Sequence, residues 1–104
     1  MPAEKPFNGL TPAEAERLDM LAEEAAEVIL AVSKIKRHGY NSTHPNNANR
    51  HRHNRTDLEK EIGDFIGIMR TMFQRGDVDF SNIDRAASVK WRNALPYTHH
   101  QGND

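Results

Sequence analysis

The strongest constraint on the fold is a helical apolar repeat that opens with a complete helix start. Thr11, Pro12 and Glu14 supply a hydroxyl N-cap, a proline at the first helical position and a glutamate three residues after the cap. Apolar residues then recur at alternating steps of three and four, as on a helix that packs against others. They are Leu18, Leu21, Ala25, Val28, Val32 and Ile35. With Gly39 as a C-terminal stop, the pattern predicts a long helix over 11–38.

A second helix is predicted over 56–75. Thr56 and Glu59 repeat the spacing of a capping box. An apolar face at helical spacing follows and continues as far as Gly76. Its members are Leu58, Ile62, Phe65, Ile66, Met69, Met72 and Phe73.

A third helix is predicted over 81–95. Ser81 and Asp84 have the spacing of an N-cap and N3 pair, and the helix is expected to stop before Pro96. No segment shows the alternation of a β-strand worth assigning. The sequence therefore predicts an all-α fold in a single domain over residues 1–104, with 96–104 as a tail.

Chain length and composition indicate whether this domain associates with other copies and in which compartment it lies. A domain of 104 residues buries only a modest core, and two long antiparallel helices with a shorter third leave much apolar surface to cover. We therefore expect a homodimer or homotetramer that completes a four-helix-type core. The chain has no cysteine, no apolar run of membrane-spanning length and no apolar signal region. These features predict a cytoplasmic protein without a membrane partner.

The segment 39–55 joins the first two helices and is rich in His, Asn and Arg, with almost no apolar side chain. A loop this long inside a compact domain is usually functional or disordered. Arg50, Arg52 and Arg55 precede a helix N-terminus, which itself attracts anions, so the loop is a candidate phosphate-binding element. A variable loop without such a role is an equal alternative on sequence alone.

Carboxylates are spaced to meet between the first two helices. Glu24 and Glu27 are three residues apart on the first, and Glu61 and Asp64 are three apart on the second. Antiparallel packing would bring the two pairs together, and a hard divalent cation would compensate their repulsion. Mg²⁺ fits best and Mn²⁺ is possible. Solvated acidic helix faces are the alternative that spacing alone leaves open.

Two motifs resemble the MazG-like, all-α nucleoside triphosphate pyrophosphatase superfamily. They are L-A-E-E-A-A-E-V-I at 21–29 and L-E-K-E-I-G-D-F-I at 58–66, and the similarity covers about residues 15–95. The resemblance implies hydrolysis of the α–β phosphate bond of a (d)NTP, which yields a (d)NMP and pyrophosphate. The His, Asn and Arg-rich linking segment departs from the family pattern.

The resemblance also implies roles for individual residues. By this resemblance, Mg²⁺ would be held by four ligands, Glu24, Glu27, Glu61 and Asp64. Glu23 would assist the attacking water. The family is generally oligomeric, and neighbouring subunits contribute to its substrate pocket.

Triphosphate binding needs cations beyond the metal. Lys34 lies two turns after Glu27, and K-W-R-N at 90–93 resembles the family's C-terminal Lys and Asn region. The candidate substrate-binding residues are therefore Lys34, Arg55, Lys90 and Asn93. Solvated surface positions are the alternative for Lys34, Lys90 and Asn93, and a disordered, variable loop is the alternative for Arg55.

A different class of function remains open at this stage. The chain could be a non-catalytic helical interaction module that binds nucleic acid or protein through the basic loop. Its formal net charge of −1 argues against a dedicated duplex-DNA binder, which usually carries a strong basic excess.

Overall fold

The computed structural model describes residues 7–43 and 53–101, and regular secondary structure in these ranges is helical. The prediction of an all-α fold is confirmed. An isolated antiparallel bridge joins Thr43 to His53 without forming a strand. In the described ranges, none of the helices combines the length and apolarity that a membrane crossing requires. The elements are α1 (Pro12–His38), α2 (Asn54–Arg75), α3 (Phe80–Asn93) and a 3-10 turn (Leu95–Tyr97).

Helix α1 begins and ends where the sequence predicts. The Glu14 N–H donates to Thr11 Oγ1 (3.1 Å) and the Thr11 N–H donates to Glu14 Oε1 (2.9 Å), which completes the capping box. At the other end Gly39 has a φ of 86°, and its N–H donates to the Ile35 carbonyl at 2.7 Å. A positive φ is accessible to glycine without steric cost, so the chain turns away from the helix here.

The predicted start of α2 is wrong. Helix α2 begins at Asn54, with His53 as N-cap, so Thr56 lies inside the helix and does not cap it. The reason is tertiary: the Asn54 N–H donates to the Ser42 carbonyl (3.0 Å) and its Nδ2 donates to the Gly39 carbonyl (3.1 Å). The bond to Ser42 satisfies the first N–H of the helix, and the bond to Gly39 holds the Asn54 side chain. The helix therefore starts two residues earlier than predicted.

The predicted start of α3 is wrong as well. Asp79 is the N-cap, and its Oδ1 accepts a hydrogen bond from the Ser81 N–H at 3.1 Å. Because this acceptor lies two residues upstream of Ser81, the helix begins at Phe80. The ring of Phe80 then packs edge-on against Phe73 of α2, with centroids 5.3 Å apart. The helix ends at Asn93, two residues short of the predicted 95.

Helices α1 and α2 form an antiparallel hairpin that is fixed at both ends. Near the start of α1, Arg17 forms an ion pair with Asp77, just beyond the end of α2. At the opposite end, Asn54 at the start of α2 binds Gly39, just beyond the end of α1. These two contacts set the register in which the carboxylates of the two helices face each other.

The hairpin leaves much of its apolar surface partly exposed. Among the described residues, Ala31 and Met72 are the enclosed apolar side chains, and α3 has none. The expected α1 face is only partly covered, since Leu18 and Val32 each remain 42% exposed. Ile29, also of α1, is 67% exposed.

Candidate metal centre

Three carboxylates converge between α1 and α2. One oxygen from each of Glu24, Glu61 and Asp64 lies within 4.8 Å of the others, and all three residues are partly buried. Glu61 and Asp64 share a face of α2 because residues three apart on a helix are neighbours. Glu24 reaches them from the side of α1 that faces α2. We call these three residues the carboxylate cluster.

Electrostatic repulsion within the cluster is already visible at Glu24. Partial desolvation, followed by repulsion from Asp64, Glu61 and Glu23, raises the pKa of the Glu24 carboxyl above its ordinary value of 4.5. Lys60 opposes this rise. Desolvation and repulsion together therefore oppose ionisation of Glu24 more than Lys60 favours it.

The donor set of the carboxylate cluster fits a hard divalent cation. Each of its three residues offers a carboxylate oxygen, the ligand that Mg²⁺ and Mn²⁺ prefer. A cation also already contacts the cluster from within the chain. The ammonium of Lys60 lies 2.7 Å from Asp64 Oδ2 and 3.7 Å from Glu61 Oε1. Lys60 thus compensates part of the negative charge of the cluster.

Glu27 lies beside the cluster and is not among its three residues. It lines a groove of about 170 Å³ between the helices, which also includes Glu61. The groove and the cluster are therefore adjacent and share one carboxylate. The groove is lined by Glu27, Leu30, Ala31, Lys34, Asp57 and Glu61.

Asp57 lines this groove, although it was not among the site residues predicted from the sequence. It lies one helical turn before Glu61 and on the same face of α2, and this i, i+4 spacing could have identified it. Of the predicted cations, Lys34 lines the same groove and is partly buried. The groove thus combines the ammonium of Lys34 with three carboxylates, from Glu27, Asp57 and Glu61.

Glu23, the predicted assistant of the attacking water, directly precedes Glu24 in α1 and is exposed. It is close enough to contribute to the raised pKa of Glu24, although it is outside the cluster itself. An exposed carboxylate beside the carboxylate cluster is accessible to solvent water.

The structure gives Arg55 partners of its own. Its guanidinium lies over the ring of Tyr40, 4.5 Å from the centroid, and its Nη2 donates to Asn41 Oδ1 at 3.4 Å. These contacts hold the two ends of the α1–α2 connection together. Arg50 and Arg52, which were also predicted to approach phosphates, lie outside the described residues.

Lys90 and Asn93 occupy a separate groove. It has a volume of about 570 Å³ and is lined by residues of α3 and the following turn, with none from α1 or α2. The single chain therefore does not bring these two side chains into the groove beside the carboxylate cluster. The lining residues are Asn82, Arg85, Ala86, Val89, Lys90, Asn93 and Tyr97.

Two glycines, Gly63 and Gly67, flank Asp64 on α2. A Cβ atom added at Gly63 or Gly67 would meet no atom within 4 Å. Neither glycine therefore serves a close approach within the described part of one chain.

Comparisons of the chain with protein-family models, with curated proteins and with solved structures find no match. A functional conclusion therefore rests on the geometry of the site together with the motifs of the sequence.

Proposed function

We propose that this chain is a metal-dependent nucleoside triphosphate pyrophosphohydrolase. It adds water across the α–β phosphate anhydride of a (d)NTP and releases a (d)NMP and pyrophosphate. The observation that carries the proposal is the convergence of Glu24, Glu61 and Asp64 from two helices, with carboxylate oxygens within 4.8 Å of one another. The resemblance of the two acidic motifs to MazG-like enzymes supports the same reaction.

In this proposal the carboxylate cluster holds Mg²⁺ or Mn²⁺, and Glu27 assists from the adjoining groove. A bound divalent cation would neutralise charge on the phosphates and on the departing pyrophosphate. Glu23, exposed beside Glu24, accepts a proton from the attacking water through its carboxylate. Lys34 offers its ammonium to a phosphate from the groove that contains Glu27 and Glu61.

A complete site in this proposal requires a second copy of the chain. Lys90 and Asn93 contact substrate only if α3 of one subunit reaches the α1–α2 groove of another. Exposed apolar side chains support such association, because Ile29 of α1 and Trp91 of α3 remain 67% and 85% exposed. The proposed assembly is a homodimer or homotetramer.

The test is release of pyrophosphate from a panel of ribo- and deoxynucleoside triphosphates with Mg²⁺ or Mn²⁺. Asp64→Asn and Glu61→Gln are expected to reduce the rate at least 100-fold, because each removes a negatively charged ligand. Glu59→Gln is the matched control, since Glu59 is an exposed glutamate on the same helix and outside the cluster. Circular dichroism checks that each variant keeps its helix content.

Three results would count against the enzyme. They are the absence of release from every nucleotide, release that does not depend on metal, and equal rates in Asp64→Asn and the parent protein. If no nucleotide is hydrolysed, salt-dependent binding of single-stranded nucleic acid would favour the interaction module instead.

A further inference from the structure

Lys60 contacts the carboxylate cluster with its ammonium, and it was not among the site residues predicted from the sequence. Its Nζ lies 2.7 Å from Asp64 Oδ2 and 3.7 Å from Glu61 Oε1. Its charge also opposes the rise in the pKa of Glu24, so its influence extends to all three carboxylates. Lys60 is therefore placed where a divalent cation bound to the same oxygens would meet it.

An ammonium and a metal ion compete for the same oxygen of Asp64. The ion pair between Lys60 and Asp64 is easily exchanged, because their side chains are 53% and 42% exposed and such pairs contribute little stability. A divalent cation binds several carboxylates at once and so displaces the ammonium from Asp64. The displaced side chain remains tethered within one helical turn of the cluster.

The net charge of the metal-bound cluster indicates a role for the displaced ammonium in binding a polyphosphate. Three carboxylates and one divalent cation leave a net charge of −1, which repels a polyphosphate. The ammonium of Lys60 cancels this charge from the exposed side of the cluster, where a ligand can approach.

We propose that Lys60 is an exchangeable counter-cation: its ammonium offsets part of the charge of the metal-free carboxylate cluster, yields Asp64 to an incoming divalent metal, and then binds a phosphate of the substrate. This inference rests on the metal site of the proposed function. The proposed phosphate-binding residues are then Lys60 of α2 and Lys34 of α1.

The experiment compares the unaltered chain with Lys60→Met and Lys36→Met in two calorimetric titrations, neither of which involves turnover. Lys36 is the matched control because it is an exposed lysine twelve residues beyond Glu24 on α1, about 18 Å along the helix. The first titration adds Mn²⁺ alone. The second adds inorganic pyrophosphate to protein saturated with Mn²⁺.

Lys60→Met is expected to bind Mn²⁺ about three- to tenfold more tightly, since it lacks the competing cation. The Mn²⁺-loaded variant is expected to bind pyrophosphate about three- to tenfold more weakly. Lys36→Met should differ from the unaltered chain by less than about twofold in both titrations. A purely structural role for Lys60 would not move the two affinities in opposite directions.

The inference is overturned if Lys60→Met binds Mn²⁺ no more tightly, or if its pyrophosphate affinity is unchanged. Either result leaves the metal site of the proposed function intact. If the unaltered chain binds no Mn²⁺ at all, that site and the role of Lys60 both fail, so the two kinds of failure are distinct.

Discussion

Arg17 and Asp77 form a two-pronged ion pair that joins the beginning of α1 to the turn after α2. The Arg17 Nε donates to Asp77 Oδ2 at 2.6 Å and the Nη2 donates to Oδ1 at 2.9 Å. Their side chains are only 18% and 12% exposed, so this pair is shielded from solvent more than most surface ion pairs. It fixes the end of the hairpin opposite to the Asn54–Gly39 contact, and with it the register of the cluster.

The first prediction concerns this pair and pH. The Arg17 guanidinium holds the pKa of Asp77 below its ordinary value of 3.8, so ionised Asp77 stabilises the folded state. This stabilisation is fully present above pH 3.8 and is lost as the pH falls through the lowered pKa. Asp77→Asn should lower the Tm by several degrees at pH 7, and the difference should shrink below pH 3.8.

Thermal unfolding followed by circular dichroism between pH 2 and 7 measures this effect. Asp19→Asn, an exposed aspartate on α1, controls for the change in net charge. A difference in Tm that stays constant down to the lowest pH would show that Asp77 acts by something other than its charge.

The second prediction is that Glu24 destabilises the metal-free protein and stabilises the metal-bound protein. Repulsion and desolvation raise the pKa of Glu24, so its ionisation destabilises the folded, metal-free protein as the pH rises through and above 4.5. In the presence of a chelator, Glu24→Gln should therefore raise the Tm by a few degrees at pH 7, with no gain well below pH 4.5. Saturating Mn²⁺ should reverse the order, because bound metal stabilises the unaltered chain more.

Differential scanning fluorimetry with chelator and with a Mn²⁺ series checks this reversal. Glu59→Gln serves again as the control and should follow the unaltered chain in both conditions. Equal responses of Glu24→Gln and the unaltered chain to Mn²⁺ would remove Glu24 from the metal site.

The third prediction concerns the glycine before Asp64. Gly63 lies in the middle of α2, and a Cβ there would meet no atom of the described chain within 4 Å. Gly63→Ala should raise the free energy of unfolding by about 0.5–1 kcal/mol, because alanine loses less backbone entropy in a helix. Urea unfolding measures the change, and a loss of stability would indicate that another subunit packs against this face.

The fourth prediction uses the one tryptophan of the chain as a reporter of assembly. Trp91 is 85% exposed on α3, beside a groove that it lines with Ala87, Lys90 and Ala94. If copies associate through α3, its fluorescence emission should move to longer wavelength on dilution, as the indole returns to water. Emission that is independent of concentration would exclude α3 from the interface.

Sedimentation gives a second measure of the same assembly. Trp91→Ser should lower the mass observed at a given concentration, because truncation of a buried aromatic anchor costs association free energy. Gln74→Ser, at an exposed position of α2, is the control.

Local signals in the sequence were reliable where the chain satisfies its own hydrogen bonds. The capping box of Thr11 and Glu14 and the stop at Gly39 need only neighbouring residues, and both form as predicted. The starts of α2 and α3 were mispredicted because each has a partner that outcompetes the local signal. Asn54 binds carbonyls of the preceding connection, and Asp79 caps α3 two residues before Ser81.

The sequence by itself determined the helical class, the limits of α1 and the i, i+3 pairing of acidic residues, because these depend on the period of a helix. Tertiary structure decided which carboxylates meet. The register set by Arg17 with Asp77 and by Asn54 with Gly39 joins Glu24 to Glu61 and Asp64. That register also leaves Glu27 in the neighbouring groove with Asp57, since helix pairing depends on contacts between residues far apart in the chain.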